Sequence, residues 1–131
     1  MSLKIKLKAN ERIIINGAVI SSGNNSTEFL IESEANFLRD KDIMLQEDSN
    51  TPAGRIYFLI QAIYLEPVHK DRFYNDLLNA IADLQEATEL LEIAEALSHV
   101  RYFVNNNEYY RALKHMQLVL QAEHCLLEEK Y

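Results

Sequence analysis

Lys4, Lys6 and Lys8 occupy every second position of Leu3-Lys4-Ile5-Lys6-Leu7-Lys8, and Arg12 follows closely. Alternate side chains of an extended strand point to opposite faces, so this pattern sorts Leu3, Ile5 and Leu7 away from three ammonium groups. Cations on one strand face recur about every 6.6–7 Å, close to the phosphate repeat of an extended single strand. Such a row can track a sugar–phosphate chain, while base readout would have to come from main-chain edges or neighbouring side chains. The same row is also a common way to protect an edge strand from aggregation. Its context sharpens the first reading. The chain has a formal net charge of −7, yet residues 1–16 carry four cations and only Glu11. Basic and acidic residues balance through Leu45, and the deficit falls entirely from Gln46 onward. If nucleic acid binds this chain, it is therefore expected on the first part and is repelled by the second.

Other chemistry is sparse. Three scattered glycines cannot build a phosphate-cradling loop. The histidines fall at 69, 99, 115 and 124; nine residues separate His115 from His124, about two and a half helical turns, which sets them on opposite sides. No His-x3-His or Cys-x2-Cys spacing occurs, so neither a metal nor another cofactor is expected. Cys125 is the single cysteine, which rules out an internal disulfide, fits a reducing compartment and suggests a packing role. Glu95 and His99 are helix neighbours whose contact would be weak. Glu86, Glu89, Glu92 and Glu95 recur every third residue as a solvated face, or as a docking edge for a basic partner. No nucleophile–base or paired-carboxylate arrangement stands out, and the chain is expected not to be an enzyme.

The elements that position these residues change rhythm near residue 50. Period-two and β-branched blocks fill residues 3–45, and only helical periodicity follows, which predicts an α+β fold with a small antiparallel sheet before four helices. We expect a β unit over 1–45, serving RNA binding and dimerisation, and a helical unit over 51–131 packed on it. Asn16-Gly17 marks a type I′ hairpin between Arg12–Ile15 and Ala18–Ile20. A turn over Ser21–Ser26 leads to a strand at Thr27–Glu32, and short strands are expected near Asn36–Leu38 and Ile43–Leu45. Thr51-Pro52 reads as N-cap and first turn of a helix that runs to Leu65 and is apolar nearly all round except for Gln61. Helices over about Lys70–Leu84, Thr88–Val104 and Glu108–Glu128 follow, with stripes Phe73/Leu77/Ile81/Leu84, Leu90/Ala94/Leu97/Val104 and Tyr109/Leu113/Met116/Leu120. No apolar run reaches the ~18 residues of a membrane span, and no signal-peptide core is visible. A cytoplasmic protein without a membrane partner is expected.

Glu11-Arg12-Ile13-Ile14-Ile15-Asn16-Gly17-Ala18-Val19-Ile20, Leu38-Arg39-Asp40-Lys41-Asp42-Ile43, Thr51-Pro52-Ala53-Gly54-Arg55-Ile56-Tyr57 and Glu108-Tyr109-Tyr110-Arg111-Ala112-Leu113-Lys114 resemble, in order, landmarks of the FlbT family. Ala9-Asn10 departs from the family's more usual Pro-Gly-like turn. The resemblance implies a post-transcriptional regulator of flagellin synthesis. Such a protein would bind the 5′ untranslated leader of flagellin messenger RNA, promote its degradation and so act as a repressor. Residues 3–45 are also similar, more loosely, to the carbon storage regulator CsrA. That likeness implies an RNA grip by Leu3–Lys8 and by a basic residue matched by Arg39 or Lys41. The candidate RNA-binding set is thus Lys4, Lys6, Lys8, Arg12, Arg39 and Lys41. Open sheet edges imply a homodimer or higher homo-oligomer. The alternative is a protein-binding adaptor in flagellum assembly, holding a flagellin-regulatory partner and acting on RNA only indirectly.

Overall fold

A computed structural model describes residues 2–129, in two compact units that divide between Ile43 and Met44. The chain is α+β. Five strands come first, β1 (Leu3–Leu7), β2 (Arg12–Ile15), β3 (Ala18–Ser21), β4 (Thr27–Ile31) and β5 (Phe37–Arg39). Four helices follow, α1 (Pro52–Leu65), α2 (Lys70–Ala87), α3 (Leu91–Asn105) and α4 (Tyr109–Glu129).

The first unit is one long hairpin folded over itself. Asn16 (φ 49°) and Gly17 (φ 89°) supply the two left-handed residues of the tight turn, and Ile15 then faces Ala18 across the β2–β3 ladder. Farther from the turn, the same two arms pair again as β1 and β4, from Leu3↔Ile31 to Leu7↔Thr27. Between the two ladders the arms bend. Lys8 to Glu11 forms a turn closed by the Glu11 N–H on the Lys8 carbonyl at 3.1 Å. Asn10, at φ 64°, takes the left-handed position in which a glycine would be at ease. The bend brings β1 and β4 against β2, so that Ile5, Leu7 and Ile13 bury together with Ile15, Phe29, Ile31 and Phe37 half-buried around them. β5 adds to the free side of β2, with Phe37 opposite Ile15 and Arg39 opposite Ile13. The strands therefore form a two-stranded and a three-stranded ladder.

Ile43–Leu45 is not a strand. Asp40–Asp42 forms a 3-10 turn instead, and the Met44 backbone is taken up by a side chain of the second unit. Gln61 accepts the Met44 N–H at 2.8 Å and donates to the Met44 carbonyl at 2.9 Å, the two bonds a neighbouring strand would have made. Gln61 is itself buried, and this pairing is why an amide is tolerated in so apolar a helix.

In the second unit, α1 packs against α2 and α4, and α3 packs against the same two. Short connections between successive helices make the bundle run up and down. Thr51 caps α1 by accepting the Gly54 N–H at 3.0 Å, and Glu123 of α4 accepts the Ala53 N–H at 3.0 Å. A side chain on Gly54 would come within 2.9 Å of the Thr51 hydroxyl and 3.1 Å of the Asp48 carbonyl, so the cap requires glycine there. α3 begins at Leu91 rather than Thr88, because the Thr88 hydroxyl accepts the Leu90 N–H at 3.2 Å and holds those residues extended. Its buried stripe is accordingly Ile93, Leu97, Val100 and Val104, with Leu90 exposed. On α4, Val119 is buried and Leu120 only half-buried. The Glu86–Glu95 series spans the α2–α3 link, leaving only Glu92 and Glu95 on one helix. Cys125 is exposed rather than packed in the core.

Gln61→Leu is expected to strand both Met44 backbone groups and to cost about 1–3 kcal/mol. Urea unfolding followed by circular dichroism measures it, and an unchanged midpoint would contradict the pairing.

Candidate functional site

The two ladders meet at a shallow depression of about 530 Å³ lined by Lys6, Leu7, Lys8, Glu11, Ser26, Thr27, Glu28 and Arg39. Its walls follow from the bend. Lys6 projects from β1 on the face opposite Ile5 and Leu7, and pairs in register with Glu28 of β4. Lys8 lies just past β1, where its N–H donates to the Glu11 carboxylate at 2.9 Å. The Lys8 carbonyl accepts the Ser22 hydroxyl, whose oxygen in turn accepts the Glu11 N–H at 3.2 Å. The bend is thus held by side chains that also line the depression. Arg39 enters from the end of β5. Its guanidinium donates to the Lys6 carbonyl at 2.5 Å and lies 3.9 Å from Glu11, so one side chain ties β5 to both β1 and the turn.

The six candidate cations divide by what they touch. Lys4 pairs with Glu28 at 3.0 Å and Arg12 with Asp40 at 3.6 Å, and all four side chains are substantially exposed. Arg39 is half-buried and engaged as described. Among the described residues no carboxylate lies within ion-pairing distance of Lys6, Lys8 or Lys41, and all three are exposed. Lys6, Lys8 and Arg39 share the depression, whereas Lys4, Arg12 and Lys41 are not part of its lining. Exposed ion pairs such as Lys4–Glu28 contribute about 0–1 kcal/mol, little enough for a phosphate to displace the carboxylate. The alternation in the sequence shows the lysine face but carries no sign of Glu28, Glu11 or Asp40 beside it, since those partners arrive from β4, the bend and the 3-10 turn.

A model of the family described as Flagellar protein FlbT matches residues 3–127. The chain belongs to the FlbT family. A Rhodopseudomonas palustris protein called "Probable flagellum biosynthesis repressor protein FlbT" is 33% identical over 133 residues, covering 97% of this chain and 98% of its own. The "Flagellum biosynthesis repressor protein FlbT" of Caulobacter vibrioides is 29% identical over 123 residues, or 94% of this chain and 87% of that one. A Caulobacter species has a further "Probable flagellum biosynthesis repressor protein FlbT", 28% identical over 94% of both chains. No solved structure matches.

Elsewhere on this FlbT chain the chemistry is limited. Among the described residues no group of three His, Cys, Asp or Glu is placed to hold a metal ion, and no helix is long and apolar enough to cross a membrane. His99 stacks on His115 with ring centroids 5.7 Å apart and planes 11° from parallel. Sequence spacing missed that pair because the rings belong to different helices.

Arg39→Ala is expected to lower stability by about 0.5–1.5 kcal/mol, because the Lys6 carbonyl and Glu11 each lose a partner that water replaces only in part. Lys6→Ala and Lys8→Ala should leave the melting temperature nearly unchanged. Thermal melts of the three variants compare these roles, and an Arg39→Ala melt matching the unaltered protein would remove its linking role.

Proposed function

We propose that this chain is a repressor of flagellum biosynthesis that binds the 5′ untranslated leader of flagellin messenger RNA and promotes its degradation. It has no catalysis of its own and depends on a cellular nuclease. The observation that carries the reading is the depression at the hairpin bend, where Lys6 and Lys8 stand beside Arg39 without ion-pair partners among the described residues. Two such ammonium groups and a guanidinium on a concave surface suit successive phosphates of a single strand. Lys4 and Arg12 extend the cationic track once phosphate displaces Glu28 and Asp40, and Lys41 adds a further exposed charge. The repressor names of the relatives support the biological direction. The working compartment on this reading is the cytoplasm, where the message is.

Self-association belongs to the same reading. β3 is the outer strand of its ladder and all four of its residues are exposed, Val19 at 63%. A second copy could cover this edge. Sedimentation at micromolar concentration should give at least a dimer, and a monomer would contradict the edge pairing.

A protein-binding adaptor is the second reading. It is favoured by a groove between α3 and α4 lined by Ile93, Ala96, Leu118 and Cys125 with Glu92 at its rim. Gel-shift titration against the organism's own flagellin leader separates the two. Lys6→Ala/Lys8→Ala is expected to weaken binding and to flatten the slope of log affinity against log salt by about 0.7 for each phosphate left without its cation. Equal affinity and slope for this variant would overturn the assignment of the strand site. A partner protein retained after nuclease treatment, with no leader bound, would favour the adaptor.

A further inference from the structure

The charge of the helical unit is segregated along its length. No Lys or Arg occurs from Phe73 to Val100, whereas Asp76, Asp83, Glu86, Glu89, Glu92 and Glu95 all do. Of the seven cations from Gln46 onward, five are Lys70, Arg72, Arg101, Arg111 and Lys114, while Arg55 stands in the first turn of α1 at the other end and Lys130 lies outside the described residues. An up-and-down bundle brings the end of α1, the start of α2, the end of α3 and the start of α4 to one pole. Three contacts close that pole. Lys70 Nζ donates to Asn107 Oδ1 at 2.8 Å, the Tyr74 hydroxyl bonds Asn105 Oδ1 at 2.9 Å, and the Tyr64 and Tyr110 rings lie 5.9 Å apart. Net acidity therefore hides a cationic end.

Local contacts, Lys70 with Asn107 and Arg111 with Glu108, account for these cations only in part. Lys70 and Arg72 lie in the first turn of α2 and Arg111 in the first turn of α4, where the helix dipole favours carboxylates. The C-terminal ends of α1 and α3 lie at the same pole, so the four dipoles largely offset one another and the positive charge there comes from the side chains. Of the three acids there, Glu66, Asp71 and Glu108, the first pairs with His69 at 3.0 Å and the last with Arg111 at 3.7 Å in an exposed pair that a phosphate can displace.

The cations are interleaved with rings. Lys70 sits 5.3 Å from the Tyr74 centroid, Arg72 5.2 Å from Phe73, Lys114 5.3 Å from Tyr110 and Arg111 6.0 Å from Phe103. Phe103 also meets His115 at 4.9 Å. Tyr102 is 62% exposed and Tyr110 43% exposed. Rings available for stacking beside cations that can meet phosphate are the combination that binds single-stranded nucleic acid. An acidic protein would answer the cations alone, whereas a chain of bases and phosphates answers both.

We infer that this pole of the helical unit is a second contact for single-stranded RNA, with Tyr102 and Tyr110 stacking bases and Arg111 and Lys114 meeting phosphates. It rests on the RNA-binding reading above and adds a site in the half of the chain whose overall charge argued against one.

Full-length protein titrated with fluorescent oligouridylate of about ten nucleotides tests it, with the Lys6→Ala/Lys8→Ala protein as a separate arm. Tyr102→Ala/Tyr110→Ala should weaken binding about five-fold or more, and Tyr102→Phe/Tyr110→Phe should retain it. Arg111→Ala/Lys114→Ala should flatten the salt dependence. Circular dichroism melts confirm that each variant is folded. Weaker binding by the pole variants supports the pole, whether or not the strand variant also binds more weakly. Unchanged affinity in folded pole variants, with weaker binding by the strand variant, overturns the pole and leaves the RNA reading intact. If the unaltered protein binds neither oligouridylate nor the flagellin leader, the RNA reading falls and the pole with it.

Discussion

A two-stranded hairpin has one apolar face and nothing to bury it against, and an isolated hairpin is barely stable in water. The β unit meets this constraint by bending the hairpin back on itself at Lys8–Glu11. Asn10 accepts a left-handed backbone, and its N–H reaches the Gly23 carbonyl at 2.6 Å, so the two arms stay bonded through the bend. Once folded over, β1 and β4 cover Ile13, and Ile5 and Leu7 become core. The same bend makes a concave surface where none exists in a flat ladder. The Lys8 N–H, which the turn leaves unpaired, finds the Glu11 carboxylate, and the Lys8 carbonyl, already bonded to the Glu11 N–H, also accepts the Ser22 hydroxyl. Lys8 and Glu11, whose atoms hold the bend, also line the depression.

Arg39 shows the consequence. A guanidinium offers several donors in a fixed fork, and here it joins the last strand to the first across the fold. Lys6 and Lys8, by contrast, extend into solvent with no packing to lose. A cation bound into the fold and two that are free of ion pairs among the described residues thus sit within one depression and differ in what their heads touch. The helical unit handles polar groups similarly. Gln61 and Glu123 are placed where backbone would otherwise be unsatisfied, Gln61 for Met44 and Glu123 for the start of α1. Burial pushes the Tyr109 phenol above its ordinary range, with the neighbouring Tyr74 adding to the effect.

Much of this was legible in residue order. Asn16-Gly17 names its turn because few residues tolerate positive φ in succession, and Thr51-Pro52 names a helix start because cap and first turn are local chemistry. The four helices follow from apolar spacing, with ends moved by three residues where Thr88 holds the chain extended. Ile43–Leu45 misled because its apolar character fits a strand, while its backbone bonds go to Asp40, to the Gln61 side chain and to Asp48 rather than to a ladder. Cys125 misled because a position on a helix does not say which side is covered.

Local conformation is written in short stretches, since φ preference, capping and alternation each act within a few residues. The α+β order, the lysine face, the tight turn and the family landmarks are of this kind. Partners of a charge are not. Glu28 reaches Lys4, Asp40 reaches Arg12 and His115 reaches His99 only after the chain has turned. Electrostatic and ring contacts depend on distance through space, and folding sets that distance for residues that composition merely counts. The division of one acidic helical unit into an anionic body and a cationic pole arises in the same way, from helices that alternate direction.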